Sequence, residues 1–224
     1  AHSLQGSEIS ILCGRSPEDA LRRIEEHQKA PFANLAVAFI QGDAADAEVY
    51  ADMDLGSYQS LVVLADDWGD DKGDVDTRSL RILLRLSDLR KYDEARAHTV
   101  VEIVDEANSD LITGLGVDDV IVSPNVVSAQ LAQISRQEVL GPIYRELLSA
   151  GGVEISLRPA ADYVALNTDC RYNDLVYAAQ QKLEIALGLC LARNDGEVLL
   201  NPSRNKSWRL SEDDQVIVLA QQLY

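Results

Sequence analysis

Residues 61–65, with the sequence Leu61-Val62-Val63-Leu64-Ala65, are the stretch that decides the fold. Five small apolar residues in succession lack the polar alternation of a half-exposed strand, and they predict a β-strand covered on both faces of a parallel sheet. Four comparable apolar runs lie at 9–14, 35–40, 99–104 and 120–122. We therefore expect a parallel sheet built from these five segments.

Segments with helical patterning separate the predicted strands. Ser16-Pro17-Glu18-Asp19 provides a capping residue, a proline at the first helical position and acidic residues in the first turn, and it predicts a helix to about residue 27. A short helix is predicted at 44–53, and another begins at Asp76, with Leu80, Leu83 and Leu84 on one face. Strands that alternate with helices are typical of βαβ units and of an α/β fold.

The pattern changes after residue 125. Residues 126–150 are helical in pattern except at Gly141-Pro142, which predicts two helices, 126–137 and 142–149, that meet at a bend. Beyond them we predict a helix at 172–181, a hairpin turn at Asn194-Asp195-Gly196, and strands at 153–157, 186–192, 197–200 and 216–220. The expected regions are a parallel-sheet domain at 1–139, a helical crossover at 140–152 and a small α+β domain at 153–224.

The charge of the chain excludes one class of protein. Its 224 residues include 20 Lys and Arg against 37 Asp and Glu, a formal net charge of −17. A protein that binds the nucleic-acid backbone needs a basic face, so we expect no nucleic-acid partner. No apolar run is long enough to cross a bilayer as a helix. Cys13, Cys170 and Cys190 are odd in number and far apart, which favours small core residues over a disulfide framework.

Enzyme signatures are lacking. The sequence has no G-x-S-x-G, no phosphate-binding loop, no H-E-x-x-H and no C-x-x-C, and its three histidines have no relay partners at a useful spacing. It also has no G-x-G-x-x-G for a dinucleotide. The nearest turn, residues 13–17, offers Arg15 and a helix end to an anion. The alternative is an ordinary capped turn from a strand to a helix.

An acidic loop at 66–76 follows the strand at 61–65. Carboxylate oxygens at the carboxyl edge of a parallel sheet suit a hard cation such as Ca²⁺, although the spacing does not fit an EF-hand. The alternative is a solvated loop whose last residue, Asp76, caps the next helix. Asp43 follows another strand and is expected at the same edge. The candidate Ca²⁺ ligands are Asp66, Asp67, Asp70, Asp71 and Asp74.

A series of sequence blocks extends over nearly the whole chain. The blocks are 61–67, 76–80, 101–105, 118–123, 155–160, Gly188-Leu189, Leu200-Asn201-Pro202, and Trp208 followed by 213–218. In this order and spacing they resemble the ion channels of the Castor and Pollux type. These channels carry RCK domains, regulators of conductance that are similar to TrkA and assemble into gating rings.

The resemblance implies a particular form of the α/β fold. The N-terminal lobe is expected to be a Rossmann-like parallel sheet that lacks its first strand, followed by a helix-turn-helix crossover and a small α+β C-terminal lobe. Gly6-Ser7-Glu8 and the strand after it resemble the second strand of the family's Rossmann unit. The first strand, its Gly-rich turn and the pore helices are then expected upstream of Ala1.

The resemblance also gives an expected function, a ligand-sensing regulatory domain of a cation channel and not an enzyme. The domain is expected on the cytoplasmic side of a membrane, as a homo-oligomer joined to the transmembrane pore domain of the same protein, with Ca²⁺ as the candidate ligand. Periodicity alone does not decide whether the apolar residues of the helix pair pack on their own domain or on a neighbouring subunit. The resemblance favours an interface with a neighbouring subunit. The predicted interface residues are Val127, Leu131, Ile134, Ile143 and Leu147.

Two other functions remain as alternatives. One is a nucleotide-binding regulatory subunit of a potassium uptake system, in which Asp43 lies near an adenosine and Arg15 is the other candidate nucleotide contact. The other is a Rossmann-type oxidoreductase, which needs a cofactor turn and a proton-transfer residue that the sequence does not display.

Overall fold

The structure, a computed structural model, describes residues 7–27, 35–65, 75–89, 97–149, 153–194 and 196–221. The chain divides into two compact units, of which the first extends through Gln137 and the second begins at Glu138. The boundary thus falls in the connection between the two predicted helices.

The first unit alternates strands and helices. Its described elements are β1 (Ser7–Cys13), α1 (Pro17–His27), β2 (Leu35–Gln41), β3 (Ser60–Val63), α2 (Val75–Leu89), β4 (His98–Ile103), α3 (Ser109–Thr113), β5 (Asp119–Val122) and α4 (Ser123–Arg136). The helix predicted at 44–53 is reduced to two short 3₁₀ turns, Ala47–Tyr50 and Leu55–Ser57.

The strand pairs described in this unit are all parallel, which confirms the predicted sheet type. β1 pairs with β2, and β4 lies between β3 and β5. Within the described strands, no ladder joins β1 to β3; instead, the Tyr58 hydroxyl donates a hydrogen bond of 3.1 Å to Ser10 Oγ. A doubly wound sheet has the strand order 3-2-1-4-5-6. If β1 is the second strand of such a sheet, then β2, β1, β3, β4 and β5 take the places of strands 3, 2, 4, 5 and 6. No described strand takes the place of strand 1.

The core of the first unit lies between α2 and the three-stranded sheet. Val63, Val101 and Ile103 of the sheet are buried against Leu83 and Leu86 of α2. Burial of such aliphatic side chains is the main force that holds a helix on a sheet.

The prediction that residues 61–65 are covered on both faces is wrong. Val63 is buried, but Val62 and Leu64 are 61% and 64% exposed. Side chains of a strand alternate between the two faces of the sheet. In the part of the chain that the structure describes, α2 covers only the face to which Val63 belongs.

The second unit is an α+β fold. Its described elements are α5 (Leu140–Leu147), β6 (Val153–Pro159), β7 (Asp169–Arg171), α6 (Tyr172–Gln181), β8 (Ile185–Leu191), β9 (Glu197–Leu200), β10 (Ser207–Arg209) and β11 (Gln215–Gln221). Four strands form an antiparallel sheet in the order β6-β11-β8-β9, and β7 pairs with β10. The predicted hairpin of β8 and β9 is present, whereas β7 and β10 have no counterpart in the sequence prediction.

The core of the second unit packs α6 against one face of its sheet. Leu175 of α6 is buried with Leu189, Val216 and Val218 of the sheet. Asp214 is also buried, and its carboxylate accepts hydrogen bonds from the backbone N–H groups of Ser211 (2.7 Å) and Ala192 (3.0 Å). Burial raises the pKa of Asp214, but these hydrogen bonds favour the ionised form more strongly, and the net pKa is below its ordinary value.

The break between α4 and α5 does not fall at Gly141-Pro142. Gln137 takes an extended conformation, with φ −146° and ψ 101°, and ends α4. Pro142 lies in the first turn of α5, where the N–H group that proline lacks has no partner within the helix. The proline therefore favours the start of α5, and the break between the two helices lies closer to the N-terminus than predicted.

Candidate functional site

The candidate site lies at the carboxyl ends of the parallel strands, the edge at which ligands bind in open α/β sheets. Several carboxylates of the strands, loops and helices near this edge accept hydrogen bonds from nearby backbone or side-chain N–H groups. We refer to these as the strand-end carboxylates: Asp43, Asp76, Glu102, Asp105 and Glu106.

Asp76 is the most buried of the strand-end carboxylates, with no exposed surface. One oxygen accepts from the N–H of Val104 at 2.9 Å, and the other accepts from the N–H of Asp105 at 2.9 Å and from Nδ2 of Asn108 at 2.8 Å. The sequence predicts only a helix cap at this position. In the structure, Asp76 lies in the first turn of α2 and ties that helix to the loop after β4.

The loop after β2 is held by Asp43. Its Oδ1 atom accepts from the N–H of Ala45 at 3.0 Å and lies 3.7 Å from Nη2 of Arg78 on α2. The hydroxyl of Tyr50 donates to the carbonyl of Ala44 at 2.7 Å. Burial, together with the negative charge of Asp43, raises the pKa of Tyr50 to about 12. Tyr50 therefore stays protonated at neutral pH and acts as a donor.

Glu102 and Glu106 fill two further positions at this edge. An oxygen of Glu102 accepts from the N–H of Ala65, the residue that follows β3, at 3.2 Å. An oxygen of Glu106 accepts from Nδ2 of Asn125, in the first turn of α4, at 3.1 Å. Phosphate sites use backbone N–H groups at strand ends, such as that of Ala65. Here Glu102 of the same chain occupies that N–H group, and Glu102 and Glu106 bring negative charge to the edge.

Arg15 and Asp43, the two predicted nucleotide contacts, lie at the same sheet edge. They follow β1 and β2, which are paired, and the N–H of Gly42 donates to the carbonyl of Cys13 at 3.0 Å. The helix end beside Arg15 is already capped, because Ser16 Oγ accepts from the N–H of Asp19 at 3.2 Å. That arrangement matches the ordinary capped turn that the sequence left open, with an acidic side chain in the first turn.

The predicted Ca²⁺ ligands Asp66, Asp67, Asp70, Asp71 and Asp74 lie outside the described residues. The described chain ends at Ala65, directly after β3, and resumes at Val75, the first residue of α2. Within the described ranges, no three or more His, Cys, Asp or Glu side chains are grouped so as to hold a metal ion. The Ca²⁺ assignment therefore stays a prediction.

The predicted interface residues lie on α4 and α5, two helices without a buried residue. Val127 and Leu131 of α4 and Ile143 of α5 are about half exposed or more, and Leu131 reaches 61%. Ile134 and Leu147 are half-buried. The helices belong to different units, and each presents apolar surface to its surroundings. Neither these nor the other described helices are long and apolar enough to cross a bilayer.

Two family models together match nearly the whole chain. Residues 18–124 match the TrkA-N domain. Residues 124–223 match a domain described as Castor and Pollux, part of voltage-gated ion channel. The two matches meet at residue 124, in the first turn of α4.

The curated relatives of the chain are plant ion channels. The probable ion channel POLLUX of Arabidopsis thaliana is 24% identical over 216 residues, which cover 84% of this chain and 26% of that protein. The ion channel DMI1 of Medicago truncatula is 24% identical over 219 residues, with 84% and 24% coverage. The chain thus spans about a quarter of the length of the curated relatives it matches.

A solved structure shares the fold. The gating ring of human SLO3 superimposes with a TM-score of 0.64 at 12% sequence identity, over 96% of this chain and 44% of that one. The similarity confirms the Rossmann-like fold that the sequence resemblance implies.

Proposed function

Since the chain is an RCK region of the Castor and Pollux type, we propose that it is a ligand-sensing regulatory domain of a cation channel, whose copies assemble and couple ligand binding to a pore. The observation that carries the proposal is the exposed apolar surface of α4 and α5. A domain that acted alone has no evident reason to expose Val127 and Leu131 on α4, and Ile143 on α5.

The relatives of the chain support a proposal for the surroundings of the domain. They are named ion channels and are about four times as long as the region matched here. We place the domain on the cytoplasmic side of a membrane, attached to a transmembrane pore domain of the same protein. The net charge of −17 argues against a nucleic-acid partner. We propose a purely regulatory role, without catalysis. The strand-end carboxylates agree with it, because they accept hydrogen bonds from N–H groups of the same chain.

Coupling requires two shapes of the domain that the ligand distinguishes. A ligand shifts the balance between them only by its difference in affinity for each. The proposed change is in the angle between the two units, and the assembled ring passes it to the pore.

Assembly through the helices is tested by sedimentation velocity on the 224-residue chain. Leu131→Asp with Ile143→Asp is expected to at least halve the mass of the particle, because a charge in a desolvated apolar contact is costly. Leu111→Asp is the matched control, since Leu111 is equally exposed but lies on α3. A parent chain that is monomeric, or a mass that the double substitution leaves unchanged, contradicts the proposal.

We propose Ca²⁺ as the ligand, bound by the loop at 66–74. The sequence places five aspartates there, between the end of β3 and the start of α2, and clustered carboxylates are what Ca²⁺ prefers. Titration calorimetry is expected to give a binding isotherm with the parent chain and at least tenfold weaker binding with Asp70→Asn, Asp71→Asn. Glu48→Gln serves as the control, because Glu48 lies in a different loop. Identical heats from parent and variant exclude the loop.

The second candidate function is nucleotide binding, and the observation in its favour is the position of Arg15 and Asp43 at one edge. A melting temperature that rises with adenine nucleotides, does not respond to Ca²⁺ and loses its response in Asp43→Ala identifies this function in place of the first.

A further inference from the structure

Residues 102–108 include the end of β4 and the 3₁₀ turn Glu106–Asn108, and they connect two helices of the first unit. On one side they form hydrogen bonds near the end of β3 and in the first turn of α2. On the other side they bond to the first turn of α4. We call residues 102–108 the bridging segment.

The first turn of α2 holds the bridging segment through Asp76. The N–H groups of Val104 and Asp105 donate to its carboxylate at 2.9 Å, and Nδ2 of Asn108 donates to it at 2.8 Å. Asp76 has no exposed surface, and hydrogen bonds to a carboxylate are stronger where water is excluded. The start of α2 and the bridging segment are therefore held together firmly.

The first turn of α4 bonds to the same segment. Ser123 Oγ donates to the carbonyl of Ile103 at 3.5 Å, and Nδ2 of Asn125 donates to a carboxylate oxygen of Glu106 at 3.1 Å. α4 follows β5 without a linker and buries none of its own residues. A helix is usually held in place by a buried apolar face. Because α4 lacks one in this chain, the bonds of its first turn have a large share in setting its direction.

The bridging segment has little packing of its own. Val104, Asp105, Glu106 and Ala107 are exposed. Its turn is closed by the N–H of Ala107, which donates to the Asp105 carboxylate at 3.0 Å, and by the N–H of Asn108, which donates to the Asp105 carbonyl at 3.1 Å. Exposed segments with few apolar contacts belong to the least stable parts of a fold. The position of this turn therefore depends on its bonds to α2 and α4, and a shift at one helix reaches the other.

α2 is also joined to the loop after β2. Oδ1 of Asp43 lies 3.7 Å from Nη2 of Arg78, and Nε of Arg85 donates to the carbonyl of Ala45 at 3.4 Å. Asp43 is the predicted contact of the second candidate ligand, an adenine nucleotide. The loop at 66–74, proposed above to bind Ca²⁺, ends directly before α2. Both candidate ligands therefore belong to parts of the chain that adjoin α2.

We propose that the bridging segment is a coupling element, through which a ligand at the strand-end edge changes the direction of α4 relative to the parallel sheet. α4 carries the predicted interface residues Val127 and Leu131, so the change reaches the surface through which copies are proposed to meet. The inference rests on the proposed function and goes beyond it by naming Asp76 and Asn125 as the positioning residues at the two ends of the segment. A ligand shifts α4 only by its difference in affinity for the two arrangements.

Hydrogen exchange of the 224-residue chain, followed by mass spectrometry, tests the coupling without a ligand. Asn108→Ala removes a bond to Asp76 and none to α4. We expect the amides of residues 127–131 in α4 to exchange at least about threefold faster in this variant, because the loosened turn no longer holds the first turn of α4. Tyr58→Phe is the matched control, since it removes a hydrogen bond to β1 in the same unit and is expected to leave the exchange of α4 unchanged.

A double substitution separates coupling from a general loss of stability. Asn125→Ala alone is expected to raise exchange at residues 127–131 by a similar factor, since it breaks the link at α4 itself. With Asn108→Ala added, exchange is expected to stay within about twofold of that in Asn125→Ala, because a link that is already broken cannot be weakened again. Exchange in Asn108→Ala equal to that of the parent chain, or two factors that multiply in the double variant, overturns the inference.

Ca²⁺ alone is the probe for the ligand. In the parent chain it is expected to change exchange at least about twofold both in residues 104–108 and in residues 127–131, and Asn125→Ala is expected to keep the first response and lose the second. Ser128→Ala, at an exposed position of the same helix, is the control and is expected to keep both. If α4 responds fully in Asn125→Ala, the inference fails while the Ca²⁺ proposal stands. If Ca²⁺ changes neither range in the parent chain, the Ca²⁺ proposal fails, and the exchange of the ligand-free variants decides the coupling.

Discussion

Asp76→Ala is expected to destabilise the first unit by about 3 kcal/mol, because it removes a fully buried carboxylate that accepts three hydrogen bonds. The donors are the N–H groups of Val104 and Asp105 and the side-chain amide of Asn108, all within 2.9 Å of the carboxylate. Asp76→Asn is expected to be nearly as damaging, since its own N–H groups then face other donors.

Hydrogen exchange followed by mass spectrometry tests this expectation at the site itself. In Asp76→Ala, the amides of Val104, Asp105 and β4 are expected to exchange at least tenfold faster than in the parent chain. Asp105→Ala is the matched control: it removes a single exposed hydrogen bond, to the N–H of Ala107, and is expected to cost less than about 1 kcal/mol. Equal protection in Asp76→Ala and Asp105→Ala contradicts the structural role assigned to Asp76.

Gly188→Ala is expected to destabilise the second unit by about 4 kcal/mol or more, the range of severe packing defects. A Cβ atom at this position lies 2.1 Å from the carbonyl oxygen of Leu199 and 3.1 Å from Cα of Leu200, both on β9. The backbone of β9 cannot move away without breaking its ladder with β8. The close approach of the two strands thus explains the glycine of the Gly188-Leu189 block.

Chemical denaturation followed by the fluorescence of Trp208, which is buried in the second unit, measures this effect. The midpoint is expected to fall sharply in Gly188→Ala. Gly14→Ala is the control, since a Cβ atom there has nothing within 4 Å. A midpoint for Gly188→Ala within the error of the parent chain shows that β9 is not held against β8 in the way described.

Sequence patterns located most elements because the local signal was strong. The helix at 172–181 coincides with α6, and the strand predicted at 216–220 lies inside β11. The three-residue strands β7 and β10 were missed, because so short a segment has no measurable periodicity. The apolar run at 61–65 is a similar case. Its composition predicts burial, but whether an element packs on each face of the strand depends on parts of the chain that are distant in sequence.

The candidate site was predictable to the same degree. The common edge of Arg15 and Asp43 follows from two consecutive parallel strands, and the structure places them so. The partners of Asp76 did not follow, because Val104 is 28 residues away and no local pattern indicates a hydrogen bond between them. The hydrogen bonds that a buried carboxylate makes to residues distant in sequence produce no periodic pattern from which they could be predicted.

The strand-end carboxylates bear on protein engineering. A designer who wishes to install a phosphate-binding loop in this scaffold cannot begin by adding lysine or arginine, because the amide groups that need to cradle the phosphate are already engaged by Asp76 and Glu102. The first step is to replace these carboxylates by neutral side chains. Each replacement also removes hydrogen bonds that hold a backbone segment, and that segment then needs new hydrogen-bond partners. A single substitution is therefore not expected to give this fold a phosphate-binding site.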